Sequence, residues 1–265
     1  MSIYIRGDIH GDAIAAFSFK RHPGLRELTK DDIVIVLGDF GLPFGIRRKG
    51  YDPKEDRYHI QFLRDKPWTT IAIAGNHDDR CAISDMPVVE RWGGQVRQFT
   101  FEGISYNNVY YVDSPQILDI QGEHILMIPG AESHDIQDGI LDPEDPNYLH
   151  MRKKLVTNNK YYFRIKNWDW WEDEAVNVFA AKQLLKDNSD HFNLILSHDY
   201  PGLVSYHVAP TGFRLKATKG EEYLEELRTT LDFDAWFFGH LHYDLWQDPE
   251  DERLMCLYKS ILQVS

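Results

Sequence analysis

Five short polar segments, each placed directly after an apolar run, constrain the fold of this chain more than any other feature. The segments are residues 7–12 (GDIHGD), 38–41 (GDFG), 75–78 (GNHD), 197–199 (SHD) and 239–242 (GHLH). The apolar runs before them, such as 33–37 and 194–196, are continuous, which is typical of strands buried on both faces of a sheet. Because the carboxyl ends of parallel strands lie at one edge of a sheet, we expect the five segments to converge there.

The rest of the pattern predicts a mixed α/β chain. Predicted strands cover residues 2–6, 32–37, 70–74, 95–99, 109–112, 116–120, 123–128, 193–197, 234–238 and 254–258. Predicted helices cover residues 13–20, 57–65, 79–86, 172–187 and 219–230, and Asp169 or Asp173 is the expected cap of the fourth. The order begins β-α-β-α-β and continues with a β-meander from 95 to 128. It predicts two sheets packed together with helices outside, in a single domain of residues 1–265.

Residues 130–171, called the excursion below, form the least regular part of the chain and contain Asp-Pro, Asp-Gly and Asn-Asn turn signals. We expect a long loop that leaves the domain and returns. In one hypothesis it is a cap whose rings stack on a base or an aryl group of the substrate. The favoured alternative is that these rings cover an exposed face of a sheet. The rings are those of Tyr161, Tyr162, Phe163, Trp168 and Trp170.

Composition limits the classes of partner and compartment. The net charge of −13 disfavours tight binding of long polyanions, although it does not exclude a local basic groove. The two cysteines lie far apart in the sequence and are expected to be buried and reduced, which favours a cytoplasmic protein. No apolar run reaches the roughly 18–20 residues that span a bilayer, and the strand predicted at residue 2 leaves no room for a signal peptide.

The five segments carry the donor atoms of a metal site. The candidate ligands are Asp8, His10, Asp39, Asn76, His198, His240 and His242. Mixed carboxylate, amide and imidazole donors suit Mn²⁺, iron or Zn²⁺ better than Ca²⁺ or Mg²⁺, and a Cys/His quartet of the structural zinc type is missing from the sequence. Each residue alone has an ordinary structural explanation, such as a turn for Asn76 or a hydrogen-bonded role for His198. Their repetition after five strands favours a site for two metal ions.

Several neighbours of these ligands are also constrained. Glycines precede four of the ligand positions, where they would let the chain turn tightly and pass close to the metals; these are Gly7, Gly38, Gly75 and Gly239. His240 and His242 are two residues apart and are expected on the same side of an extended segment. Further candidates for the lining of the cleft are Asp12, His207 and Arg214.

These motifs resemble those of the calcineurin-like metallophosphoesterase superfamily, whose pattern is Asp-x-His, Gly-Asp, Gly-Asn-His-Asp/Glu, a later His and Gly-His-x-His. All five blocks are present in order between residues 7 and 242. The resemblance implies a four-layer αββα sandwich of the α/β (α+β) class, with two mixed β-sheets flanked by helices. Phosphoprotein phosphatases of the superfamily continue the second block with Asp-Arg-Gly, whereas this chain continues with Phe40 and Gly41. The chain is therefore more similar to bacterial or phage-type phosphoesterases.

The resemblance also implies a role for each matched residue. Asp8, His10 and His242 would hold the first metal ion. Asn76, His198 and His240 would hold the second, and Asp39 would bridge the two. His77 would be the catalytic residue beside the metals, with Asp78 as the partner that orients its ring and favours its protonated form.

The predicted function is a metal-dependent phosphoesterase that hydrolyses a phosphate monoester or diester by attack of a hydroxide bridging two metal ions. The favoured metal is Mn²⁺, with iron or Zn²⁺ as alternatives. A small phosphorylated substrate is favoured; nucleic acid stays open, and no membrane partner is expected. Two other functions are retained: a non-catalytic metal-binding interaction scaffold of the same fold, and metal-dependent hydrolysis of another kind of bond.

Overall fold

The computed structural model describes residues 1–188, 190–202, 204 and 217–265. The strands in these ranges are β1 (Ile3–Arg6), β2 (Ile33–Val36), β3 (Thr69–Ile73), β4 (Val88–Arg91), β5 (Gly94–Phe101), β6 (Ile104–Val112), β7 (Gln116–Ile120), β8 (Glu123–Ile128), β9 (Gly139–Leu141), β10 (Phe163–Ile165), β11 (Phe192–Ser197), β12 (Phe233–Phe238), β13 (Trp246–Gln247), β14 (Leu254–Cys256) and β15 (Ile261–Gln263). The helices are α1 (Ala13–Ala16), α2 (Pro53–Arg64), α3 (Arg80–Ser84), α4 (Tyr148–Thr157), α5 (Val178–Leu185) and α6 (Lys219–Thr230), with a 3₁₀ helix at Pro23–Glu27.

Local sequence explains where the longer helices begin. Asp52 caps α2 by accepting a hydrogen bond from the backbone N–H of Lys54, and Pro53 occupies the first helical position, where its missing N–H costs nothing. A capping box opens α6: Thr218 and Glu221 each accept a hydrogen bond from the other's backbone N–H. The cap of α5 is Asn177, so the expectation of Asp169 or Asp173 is wrong.

Two large mixed sheets form the body of the molecule. The first has the order β15-β1-β2-β3-β6-β5-β4, in which β1, β2, β3 and β6 are parallel neighbours. The second has the order β13-β14-β12-β11-β8-β7, in which β14, β12, β11 and β8 are parallel neighbours. Antiparallel strands close both edges of each sheet. The predicted meander is therefore divided, because β5 and β6 belong to the first sheet and β7 and β8 to the second.

Side-chain alternation along the strands builds three apolar layers. In β2, Ile33 and Ile35 face the second sheet, whereas Val34 and Val36 pack with residues of α1 and α2. In β11, Leu196 lies between the sheets while its neighbour Ile195 packs with residues of α6. Because successive strand residues point to opposite faces, strands with a layer on both sides must be apolar throughout. The four-layer αββα sandwich predicted from the sequence is confirmed.

The excursion differs from the expected irregular loop. It contains β9 and β10, which pair in parallel, and the helix α4. Leu141, Tyr148 and Ile165 form a small apolar cluster there, with Phe163 and Trp168 packed against it. These two rings therefore contribute to the core of the excursion itself. The rings of Tyr161 and Tyr162 are exposed to solvent.

From the apolar layer between the two sheets we predict a large loss of stability for a substitution within it and almost none for an exposed control. Leu196 is fully buried there, so Leu196→Ala should lower the free energy of unfolding by about 2–5 kcal/mol through lost burial and the cavity left behind. The control is Leu149→Ala on α4, where the side chain is 74% exposed and the expected change is below about 0.5 kcal/mol. Urea unfolding measures both, and equal effects of the two substitutions would contradict the packing described.

Candidate metal centre

The seven candidate ligands lie together at the carboxyl ends of five strands. Asp8 and His10 follow β1, Asp39 follows β2, and Asn76 follows β3. From the second sheet, His198 follows β11, and His240 and His242 follow β12. Two sets of donor atoms result, each with members within 4.8 Å of one another. The first comprises Asp8, His10, Asp39 and His242; the second comprises Asp39, His198 and His240.

Imidazole nitrogens and a carboxylate converge in the first set. The Nε2 atoms of His10 and His242 are 2.9 Å apart, and His242 Nε2 is 3.0 Å from Asp8 Oδ2. Asp8 Oδ2 is buried and, among the described residues, accepts no hydrogen bond of good geometry. Its other oxygen accepts one from the backbone N–H of His240, which ties the first set to the strand that supplies the second.

His198 is the most tightly held residue of the second set. Its Nδ1 lies 2.8 Å from the carbonyl oxygen of Leu37 and donates to it, so Nε2 faces the centre. That nitrogen is 3.0 Å from Asn76 Oδ1 and 3.2 Å from Asp39 Oδ1. Burial disfavours the charged ring, but the Asp39 carboxylate outweighs burial and raises the pKa of His198 to about 10. His198 Nε2 therefore lies between two oxygen acceptors, Asn76 Oδ1 and Asp39 Oδ1.

Asp39 belongs to both sets. Burial alone would raise the pKa of its carboxyl, but the charge and hydrogen bond of His198 hold the pKa of Asp39 well below its usual range. Oδ1 faces His198 and also accepts a hydrogen bond of 2.7 Å from the backbone N–H of His77. Oδ2 lies 3.9 Å from His10 Nδ1 in the first set. The carboxylate is thus ionised, buried and directed to both sides.

The donor atoms fit the metal ions that the resemblance implies. His240 Nε2 is buried without a hydrogen-bond partner among the described residues, and burial lowers the pKa of this ring well below its ordinary value. A neutral imidazole with a free nitrogen is the form that binds a metal. Together with the orphaned oxygen of Asp8, it represents desolvation that a cation would offset. Ser133 Oγ lies 3.3 Å from Asn76 Nδ2, which directs the amide oxygen of Asn76 towards the centre.

Four candidate ligands have left-handed backbone conformations. The φ angles are 46° for His10, 46° for Asp39, 64° for His240 and 56° for His242. Residues other than glycine seldom adopt this region, which costs of order 1 kcal/mol or more, and such strain concentrates at functional sites. The expectation that His240 and His242 share one side of an extended segment is wrong. They face the centre because both residues turn.

At two of the expected glycines, a side chain from another segment lies so close that no methyl group would fit, whatever the backbone turn requires. Gly38 has a φ of 102°, and a methyl group there would overlap the ring of His198. A methyl group on Gly75 would overlap Asp39 Oδ1 and lie 2.7 Å from His198 Nε2. In both cases the obstructing atoms belong to a ligand candidate from another strand. These glycines allow segments from different strands to share one centre.

Asp78 does not have the expected role of orienting the ring of His77. Its carboxylate accepts hydrogen bonds from the backbone N–H groups of Gly41, Gly75 and Phe40, and from the hydroxyl of Tyr111. It therefore fixes the loops that carry Asp39 and Asn76. Among the described hydrogen bonds none joins Asp78 to His77, so the expected pairing of these two residues is wrong.

His77 is instead accompanied by Arg164 of the excursion. The guanidinium Nη2 lies 3.1 Å from His77 Nε2, and Asp135 holds the same guanidinium through Nε and Nη2. Because arginine only donates, His77 Nε2 accepts, which assigns the ring proton to Nδ1. Burial lowers the pKa of His77, Asp39 opposes this, and the charge of Arg164 adds to the lowering. The surroundings thus favour the neutral ring, contrary to the expected effect of Asp78.

A cavity of about 510 Å³ opens beside His10 and His77. Carboxylates provide much of its wall: Asp12, Asp52, Glu55 and Asp56. Arg48 and Tyr51 are also among its lining residues. The expected place of Asp12 at the cleft thus agrees with the structure, whereas His207 and Arg214 lie outside the described residues. No signal in the sequence singled out Asp135 or Arg164, because a tertiary contact rather than a spacing brings them to His77.

A family model described as calcineurin-like phosphoesterase matches residues 1–244. The chain belongs to this family. Lariat debranching enzyme A of Xenopus laevis is 26% identical over an alignment covering 91% of this chain and 43% of that protein. The lariat debranching enzyme of Drosophila melanogaster is 25% identical, with the same two coverages. The chain therefore spans less than half the length of these relatives.

Among solved structures, phosphopantetheinyl hydrolase from Mycobacterium tuberculosis matches with 15% identity and a TM-score of 0.47, covering 99% of this chain and 95% of that one. The chain thus combines a calcineurin-like phosphoesterase domain with two groups of side chains that could hold a metal ion. Within the described part of the chain, no helix has the length and apolar character needed to cross a membrane.

Because neighbouring atoms lie so close to Gly75, we predict that one substitution there lowers both the stability of the fold and the amount of bound metal. Gly75→Ala should lower the free energy of unfolding by about 1–3 kcal/mol through overpacking, and should reduce the bound metal, since Asp39 and His198 must both move. Gly24→Ala is the control, because a methyl group there meets no atom within 4 Å. Thermal unfolding and elemental analysis of both variants test this. Wild-type metal content in Gly75→Ala would contradict the close packing of the two ligands.

Proposed function

We propose that this calcineurin-like phosphoesterase is a dinuclear enzyme that hydrolyses a phosphate ester of a small molecule. One observation carries the proposal: the buried, ionised carboxylate of Asp39 belongs to both sets of donor atoms. A carboxylate can offer one oxygen to each of two ions, and a single shared ligand would hold the ions close together. The two orphaned atoms, Asp8 Oδ2 and His240 Nε2, support one ion in each set.

The proposed ligand assignment follows the two sets. Asp8, His10 and His242 would hold one ion, and His198 and His240 would hold the other, with Asp39 shared. Asn76 would join the second set, because its Oδ1 lies 3.0 Å from His198 Nε2. This mixed donor set favours Mn²⁺, with iron or Zn²⁺ as alternatives. Bound together, such ions supply a water of lowered pKa and a positive clamp for the oxygens of a phosphoryl group.

His77 is the proposed catalytic residue. It lies beside the first set, with its ring centroid 5.5 Å from that of His10, and its backbone N–H is fixed to Asp39. Its surroundings favour the neutral ring before the substrate binds. The negative charge of a phosphate ester would favour the protonated form, in which His77 donates to the leaving oxygen or to a non-bridging oxygen.

The cavity beside the centre favours a small substrate. The carboxylates of its wall would repel the successive phosphates of a nucleic acid strand, and the whole chain is strongly acidic. A nucleic-acid phosphodiesterase is the second candidate, because the two curated relatives are named as lariat debranching enzymes. The alternative of a non-catalytic scaffold finds no support in these comparisons.

The location of the protein stays a prediction. Cys81 and Cys256 are both free thiols, and Cys256 is fully buried, as expected of a protein in a reducing compartment. We infer a cytoplasmic location from these thiols, with a small phosphorylated molecule as the substrate.

Elemental analysis followed by ester hydrolysis tests the proposed function. The purified protein, supplied with Mn²⁺, should bind two equivalents of metal and hydrolyse p-nitrophenyl phosphate or its bis-ester, and removal of metal by a chelator should abolish turnover. Preference for the bis-ester together with cleavage of short oligonucleotides would favour the nucleic-acid candidate. Two bound metals with no turnover of any ester would overturn the proposal.

His77→Ala separates catalysis from metal binding. Loss of a proton donor should reduce kcat by about 10²–10⁴-fold while two metal ions remain bound. His150→Ala, in which an exposed histidine of α4 is removed, is the control and should retain wild-type turnover. If the metal content of His77→Ala fell with its activity, His77 would have to be reassigned as a ligand.

A further inference from the structure

We propose that Arg164 makes the site selective for a terminal phosphate, that is, for a phosphomonoester over a diester. This inference rests on the proposed function and specifies the substrate class of the same site. Arg164 lies on β10 within the excursion and reaches the centre through the contact of its guanidinium with His77. No ligand motif contains it, so its presence is a property of the excursion rather than of the metal-binding pattern.

The position of the guanidinium is fixed by the excursion itself. Asp135 grips it with both carboxylate oxygens, Oδ1 at 3.0 Å from Nε and Oδ2 at Nη2. A two-point grip of this kind sets the orientation of the planar group as well as its place. The side chain of Arg164 is only 17% exposed, so its charge is screened less than that of a surface arginine.

The contact with His77 determines where an oxygen of the substrate would bind. Arg164 Nη2 and His77 Nε2 are 3.1 Å apart, so one oxygen atom can lie at hydrogen-bonding distance from both. An oxygen that reaches the proposed catalytic ring therefore also meets the guanidinium. Nη2 carries two hydrogens, one on Asp135 and one on His77 Nε2. An oxygen bound between them would take over the hydrogen that His77 accepts in the protein alone, so Arg164 could donate to it and keep its contact with Asp135.

The charge of that oxygen distinguishes the two ester classes. A phosphate monoester has three negatively charged non-bridging oxygens, one more than a diester, and the third is the oxygen that would lie between Arg164 and His77. In a diester the corresponding atom is esterified and is a much poorer acceptor. A hydrogen bond from arginine to the charged oxygen should favour the monoester by about 10- to 100-fold.

A purely structural role for Arg164 is the competing explanation. The Arg164–Asp135 pair could serve only to join two parts of the excursion, which already has its own apolar cluster. In that case removal of the guanidinium would disturb both ester classes alike. The two explanations are therefore distinguished by the ratio of monoester to diester activity, and not by the loss of either activity alone.

The experiment compares Arg164→Gln and Arg164→Lys with the wild type, each loaded with Mn²⁺ and checked for metal content. Calorimetry measures the binding of inorganic phosphate and of diethyl phosphate, and kinetics measures p-nitrophenyl phosphate and its bis-ester. We expect Arg164→Gln to weaken inorganic phosphate binding and to lower kcat/KM for the monoester, both by about 10- to 100-fold, with less than about threefold change for the diesters. Arg164→Lys keeps the positive charge but loses the two-point contact that a guanidinium makes. It should therefore recover part of the preference for the monoester.

Arg152→Gln on α4 is the matched control, because it removes an exposed arginine from the same excursion. It should leave both the affinity for phosphate and the ratio of the two ester activities unchanged. Equal losses for monoester and diester in Arg164→Gln, or no loss for either, would overturn this inference while leaving the proposed function intact. An inactive wild type with two bound metals would instead contradict the proposed function.

Discussion

Crowding of buried hydrogen-bond acceptors where strand ends of the two sheets come together is the constraint on which the rest of the site depends. Asp8, Asp39 and Asn76 bring oxygens into a small volume that also receives imidazole nitrogens. Apart from these rings, the donors described there are the backbone N–H groups of His77 and His240. Such a group is unfavourable unless a proton or a cation lies among the acceptors. The Asp39 carboxylate accordingly raises the pKa of His198. The same crowding would favour a cation at the centre, as the proposed function requires.

Other parts of the architecture offset the unfavourable free energy of this crowding. Apolar layers on both faces of the sheets stabilise the strands, and the strained residues lie just beyond the strand ends, where turns are needed in any case. Asp78 satisfies backbone N–H groups in two of these turns. Glycine at positions 38 and 75 leaves the space that neighbouring ligands fill. Rigid turns of this kind hold the donor atoms in place before any ion binds.

The sequence was sufficient to predict the strands of the sheets and the convergence of the candidate ligands, since both depend on local patterns. Continuous apolar runs such as 33–37 predicted strands buried on two faces, and polar residues after them predicted the shared edge. The partners of His77 were not predictable in this way. Arg164 is 87 residues away along the chain, and only the packing of β9, β10 and α4 brings it near. The regular structure of the excursion is not predicted either, because its turn signals are dense and its two strands have only three residues each.

The small apolar cluster of Leu141, Tyr148 and Ile165 gives the excursion a core that is separate from the two sheets. Substitutions in this segment can therefore alter what lies over His77 without disturbing the strands that carry the ligands. In the proposed function, the candidate ligands and the residue that would select the substrate therefore lie on different parts of one chain. Exchange of the segment between related proteins offers a direct route to redesigned selectivity.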